Sequence, residues 1–245
     1  LFKDGEAASV SYLTNGLSQR VFKGEPLAEQ TMPNEAELGV DFINWLKRSF
    51  GWLFVKAAAN TSIGTAYVYG DSEIPAWALM GEYDNGSAKG TGRTEYVWLP
   101  TEDGAAIPVG IFRNGKFFAI HMDHLGTPRL MTDDLNKPVW QWPYSAFGNN
   151  KPSGLLKATP NPKAAITNIP MLLKATNPTE LELRFPGQMN DTEAGLNYNY
   201  FRAYCPTCGR YTQPDLLGLS GGWNRFGYVG GNAISYMDPE GLQAT

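Results

Sequence analysis

The sequence is short of the residues on which several functional classes depend. Two of its 245 residues are cysteine and two are histidine. One Cys-Pro-Thr-Cys pair at 205–208 cannot staple a disulfide scaffold, so a hydrophobic core must hold the fold. With only His121 and His124, there is little material for a hydrolase built on a Ser–His or Cys–His pair. Positive charge is also scarce: 20 Lys and Arg stand against 24 Asp and Glu, a net charge of −4 with the signs scattered. Nucleic acid needs a basic face, and no such partner is expected. No unbroken apolar run approaches the roughly 20 residues of a membrane span. The opening residues lack a basic stretch followed by an apolar one, so no signal peptide is expected.

What is present is material for turns and sheets: 27 Gly, 17 Pro, 12 Tyr, 12 Phe and 7 Trp. Most of the chain consists of short strand-like runs separated by Asp, Asn and Gly. The clearest hairpin is 112–118, where Asn114-Gly115 supplies the positive φ angles of a type I′ turn. Units at 66–73, 79–90, 93–112 and 129–150 each join a Tyr- or Trp-bearing strand to an acidic or Asn/Gly turn, a degenerate repeat of roughly 15 to 25 residues. The expected fold is therefore mainly β.

Two segments break this rhythm. Over 34–57, Leu38, Phe42, Trp45, Phe50 and Leu53 fall near helical spacing, with acids leading and bases trailing as a helix dipole favours. This predicts an inserted amphipathic helix packed over the sheet; its aromatic residues also allow contact with a membrane surface. Residues 151–184, rich in proline and without a clear period, read as a long irregular excursion.

Four stretches, 121–149 ("HMDHLGTPRLMTDDLNKPVWQWPYSAFGN"), 184–204 ("RFPGQMNDTEAGLNYNYFRAY"), 209–242 (ending "YVGGNAISYMDPEGL") and, more weakly, the tandem "YVYGDSE" and "LMGEYDNG" units, together resemble the carboxy-terminal core of Rhs/YD-repeat proteins. These are polymorphic-toxin shells related to the C component of insecticidal toxin complexes. The resemblance implies a YD-repeat β strip that spirals into a cocoon-like shell. It divides the chain into a strip at 1–120 with its helical insertion, an associated core at 121–242, and a residual tail at 243–245. In such proteins the shell encloses a toxin and cuts itself after the Asp-Pro-x-Gly-Leu motif. The implied partners are upstream shell repeats, the enclosed toxin, and secretion machinery or immunity and chaperone proteins. The implied setting is export from a bacterium by a specialised system.

Self-cleavage of this kind resembles aspartyl proteolysis, in which two carboxylates share one proton. The matching residues are Asp215 in "QPDLLGL" and Asp238 in "MDPEGL"; Arg210 is a supporting residue, and Leu242–Gln243 is the bond to be cut. Leu216 departs from the family, which has proline there. Read without the resemblance, each aspartate is an ordinary turn former. The rival chemistry is a zinc centre from His121, His124, Cys205 and Cys208, but a strand directs His-x-x-His rings apart, and no metal or cofactor is expected. The cysteines stay open between free thiols, a disulfide and a redox pair. A second functional class also remains: a β-repeat adhesion module whose aromatic strips bind carbohydrate or protein.

Overall fold

A computed structural model describes residues 10–25, 63–152 and 179–245, apart from 72, 87–89, 91 and 103. The helix expected over 34–57 lies outside the described residues, as does most of the 151–184 excursion. The described residues form thirteen strands in two antiparallel sheets. The large sheet is a meander of β1 (Ser11–Thr14), β2 (Arg20–Gly24), β3 (Gly64–Tyr69), β4 (Leu79–Asn85), β5 (Arg93–Pro100), β6 (Ala106–Arg113), β7 (Lys116–Met122), β8 (Pro128–Thr132) and β9 (Pro138–Gln141). The small sheet contains β10 (Met189–Asp191), β11 (Leu196–Asn199), β12 (Arg202–Cys205) and β13 (Arg210–Tyr211).

Turn chemistry sets this path. Asn114 and Gly115, at φ 51° and 80°, close the β6–β7 hairpin as two left-handed residues. A second device recurs at 15–19, 123–127 and 133–137. Its first residue, Asn15, Asp123 or Asp133, accepts backbone N–H bonds two and four positions on through one side-chain oxygen, all at 2.8–3.1 Å. Its fourth residue is left-handed: Ser18 (φ 64°), Gly126 (82°) and Asn136 (57°). "DHLGT" is thus one copy of a five-residue hairpin turn. His124 in this turn meets the Ile234 carbonyl at 2.8 Å, while His121 on β7 meets the Thr132 hydroxyl at 3.1 Å.

The core lies between the inner face of the large sheet and the residues that lead into the small one. Tyr96, Ile111, Ile120, Met131 and Trp140 meet Leu181, Leu183, Phe185 and Met189. Trp142 is fully buried with its ring 5.4 Å from Phe185, and Phe185 stacks on Tyr228 at 5.7 Å. Alternation explains which residues point inward: on β7, Phe118 and Ile120 are buried and their neighbours are not. Arg20 ties the sheets together, 2.8 Å from the buried Asp191. The division expected between 120 and 121 falls inside β7. The large sheet runs through it unbroken, because β6, β7 and β8 pair in one ladder, and the change of sheet comes after β9.

Candidate functional site

β11 and β12 form a tight hairpin in which Asn199 pairs with Arg202, and Tyr204 on β12 pairs with Tyr211 on β13. Strand alternation sends Arg202 and Tyr204 to the same inner face, and Tyr211 turns inward beside them. Two aspartates reach this face from later segments. Asp215 follows β13 and closes its own turn by accepting the Leu217 N–H at 2.8 Å. Asp238 opens the Asp-Pro-Glu-Gly turn, where its Oδ1 accepts the N–H groups of Leu242 at 2.8 Å and Gln243 at 3.1 Å.

Both aspartates are therefore turn formers, but their burial and partners set them apart. Asp215 and Asp238 are 3% and 2% exposed, values at which an unpaired carboxylate is not tolerated. Arg202 lies between them: Nη1 is 2.9 Å from Asp215 Oδ2, and Nη2 is 3.0 Å from Asp238 Oδ2. The guanidinium also donates from Nε to the Gly241 carbonyl, and its centre sits 3.7 Å over the Tyr211 ring. A second guanidinium lies close by: Arg225 donates from Nη2 to the Asp215 backbone carbonyl at 3.0 Å. Tyr211 donates its hydroxyl to Asp238 Oδ2 at 2.8 Å. Burial, followed by the charge of Asp238, pushes the Tyr211 phenol well above its ordinary range, so it keeps its proton and acts as a donor.

The bond expected to break thus lies beside Asp238, on which the Gln243 nitrogen rests. Beyond it, Thr245 pairs with Met237 in both directions, at 2.8 and 3.0 Å. A groove lined by Leu217, Glu240, Leu242, Gln243 and Thr245 runs past this segment. Two glycines let the backbones close around the turn. A Cβ on Gly187 would sit 1.8 Å from the Pro239 carbonyl, and one on Gly221 would sit 2.6 Å from Asp215 Oδ2.

Arg210 is not in this site. It is exposed on β13, makes no ion pair with either aspartate, and faces away because its neighbour Tyr211 faces in. The arginine that sequence reasoning missed is Arg202, signalled only by its alternation with Tyr204. Cys205 and Cys208 form a disulfide across the β12–β13 turn, one of the three states the sequence left open. A disulfide offers no thiolate to a metal, and His121 and His124 bond elsewhere. Gly218-Leu219-Ser220-Gly221-Gly222 has the letter spacing of a nucleophile elbow. It forms an exposed 3-10 turn rather than a strand-to-helix corner, so that chemistry finds no support.

No family model matches the chain. Over 130 residues, 53% of its length, it is 34% identical to the double-stranded DNA deaminase toxin A of Burkholderia cenocepacia, covering 8% of that protein. It is 42% identical over 81 residues, a third of its length, to the probable deoxyribonuclease RhsA of Dickeya dadantii, covering 6% of it. Among solved structures, the Photorhabdus luminescens Tc holotoxin pore superposes on the whole chain with a TM-score of 0.55 at 17% identity; the match takes in 9% of that chain. The chain thus spans a small part of these relatives, and its fold is one found in a Tc toxin.

Proposed function

Since the chain is a relative of the Rhs/YD-repeat carboxy-terminal core, in sequence and in fold, we propose that it is the closing segment of a toxin shell and that it cuts its own backbone after Leu242. The observation that carries this reading is one geometry: the Gln243 amide is held on a buried aspartate that shares an arginine with a second buried aspartate. The reaction is a single hydrolysis in cis. Water adds to the Leu242 carbonyl carbon and gives up a proton to the carboxylate pair. The carbon–nitrogen bond breaks, and the departing Gln243 amine takes a proton back. Arg202, bonded to both aspartates and to the Gly241 carbonyl, holds the pair next to this bond.

On this reading the shell contains a toxin joined beyond residue 245, and cleavage separates the two while the shell keeps its cargo. Export from a bacterium, with upstream repeats and an enclosed toxin as partners, follows from the same kinship. The test is the intact mass of the chain carrying a carboxy-terminal extension, beside Asp215→Asn and Asp238→Asn versions. A product ending at Leu242 in the parent and full-length protein in both variants is the expected result. Full-length mass in all three overturns the self-cleavage.

A further inference from the structure

Asp238 is crowded with donors. A carboxylate has about four acceptor positions, and four donors meet this one: Arg202 Nη2, the Tyr211 hydroxyl, and the N–H groups of Leu242 and Gln243. Among the described residues, the Asp215 carboxylate meets Arg202 Nη1 and the Leu217 N–H, and its backbone carbonyl accepts from Arg225 Nη2 at 3.0 Å. Asn199 explains why the Tyr211 hydroxyl points as it does. Its side chain is fully buried, and Nδ2 donates both to the Asp238 backbone carbonyl at 3.0 Å and to Tyr211 Oη at 2.8 Å.

The orientation of that amide is not free. Only an N–H can face the Asp238 carbonyl, so Nδ2, not Oδ1, occupies this side. Tyr211 Oη then receives a hydrogen from Asn199 and must send its own to Asp238 Oδ2. Meanwhile Asn199 Oδ1 has no hydrogen-bond partner among the described residues. A buried amide oxygen left bare is a cost to the fold, and it accompanies an amide whose N–H groups both serve Asp238.

We infer that Asn199 and Tyr211 are positioning residues that act in series on Asp238. Asn199 fixes the sense of the Tyr211 hydroxyl, and the hydroxyl holds Asp238 as a pure acceptor, with Oδ1 on the Gln243 amide. This inference rests on the self-cleavage reading and names the residues that divide the labour between its two acids. The ionisable groups around Asp238 are Arg202 from β12, Tyr211 from β13, Asp215 from the loop after it, Arg225, which donates to the Asp215 carbonyl at 3.0 Å, and Tyr228, whose phenol burial holds above its usual range.

The experiment releases the tagged chain from urea into buffers across about pH 4 to 9 and follows the first-order appearance of the product ending at Leu242. Tyr211→Phe keeps the ring under Arg202 and removes only the hydroxyl. Loss of a hydrogen bond to an ionised group corresponds to a shift of about one to two pH units. The acid limb of the rate profile is therefore expected to move up by that amount, with a slower rate at its plateau. Asn199→Ala, which lets the hydroxyl rotate, moves the limb in the same direction by less and reads the relay even if Tyr211→Phe does not fold. Tyr83→Phe removes a hydroxyl that meets Glu95 at 3.4 Å on the large sheet, away from the site, and leaves the profile in place. Cleavage by the parent with unchanged profiles in both relay variants overturns this inference alone. A parent that never cleaves overturns the self-cleavage reading, and the relay with it.

Discussion

Replacing Arg202 with methionine removes the guanidinium and keeps much of the side-chain bulk. Two contacts vanish at once, at 2.9 Å to Asp215 and 3.0 Å to Asp238, and the Gly241 carbonyl loses its donor. Removing one member of a buried ion pair costs roughly 3–5 kcal/mol, because the partner charge stays buried without compensation. Here two carboxylates, 3% and 2% exposed, are stranded together, so the upper part of that range, about 4–5 kcal/mol, is expected at pH 7. With a urea slope near 3 kcal/mol per molar, this is a drop of about 1.5 M in the unfolding midpoint.

The pH dependence gives a second check. In the variant the folded state resists ionising these acids more than the unfolded chain does, so their folded proton affinity is raised. Stability tied to such groups is fully present below the unfolded value, about 3.9, and is lost as pH rises. The deficit should therefore be full at pH 7 and shrink toward pH 4. Adding Asp215→Asn and Asp238→Asn to Arg202→Met should recover much of it, since the three residues act as one unit. A midpoint shift under about 0.3 M at pH 7, or one that does not change with pH, would show that the guanidinium is not what makes the buried acids tolerable.

Gly187→Ala puts a methyl group where the Pro239 carbonyl already lies, at a residue with φ 76°. It is expected to cost more than about 2 kcal/mol and to slow self-cleavage by displacing the Asp-Pro-Glu-Gly turn; a melting curve and the cleavage time course check both. At Asp191, burial pushes the carboxyl up, but the Tyr12 hydroxyl, Arg20 and Lys23 outweigh it and hold the group below its usual range. A depressed carboxyl stabilises the fold above its unfolded value and loses that contribution as pH falls through the folded one. Asp191→Asn should therefore flatten the fall in melting temperature below about pH 4; an unchanged acid slope counts against the Arg20–Asp191 tie between the sheets.

The aspartates were picked out by the resemblance of their motifs, and the turn each closes with amides two to five residues away is local. Their partners were not. Arg202 is 36 residues from Asp238 and Asn199 is 39 from it, and nothing in "NYFRAY" says which later carboxylate will meet that face. Choosing Arg210 over Arg202 is the kind of error proximity invites, since pairing across a sheet, not distance along the chain, decides which arginine faces in. The cysteines teach the same point: spacing permits a disulfide, and only the turn that brings their Cα atoms to 5.2 Å makes one.

By itself the sequence determined the hairpins and turns. Asn114-Gly115 and the three Asx-type turns are decided within five residues, by side-chain oxygens and left-handed positions that need no help from the rest of the chain. The two acids were singled out by the resemblance to the Rhs/YD-repeat core; read without it, each is an ordinary turn former. Tertiary structure alone decided that the acids are buried, that one guanidinium joins them, and that an amide and a phenol set the direction of the hydrogen bonds. Burial is a property of two packed sheets, and a charge is forced to find a partner only when that packing has removed the water.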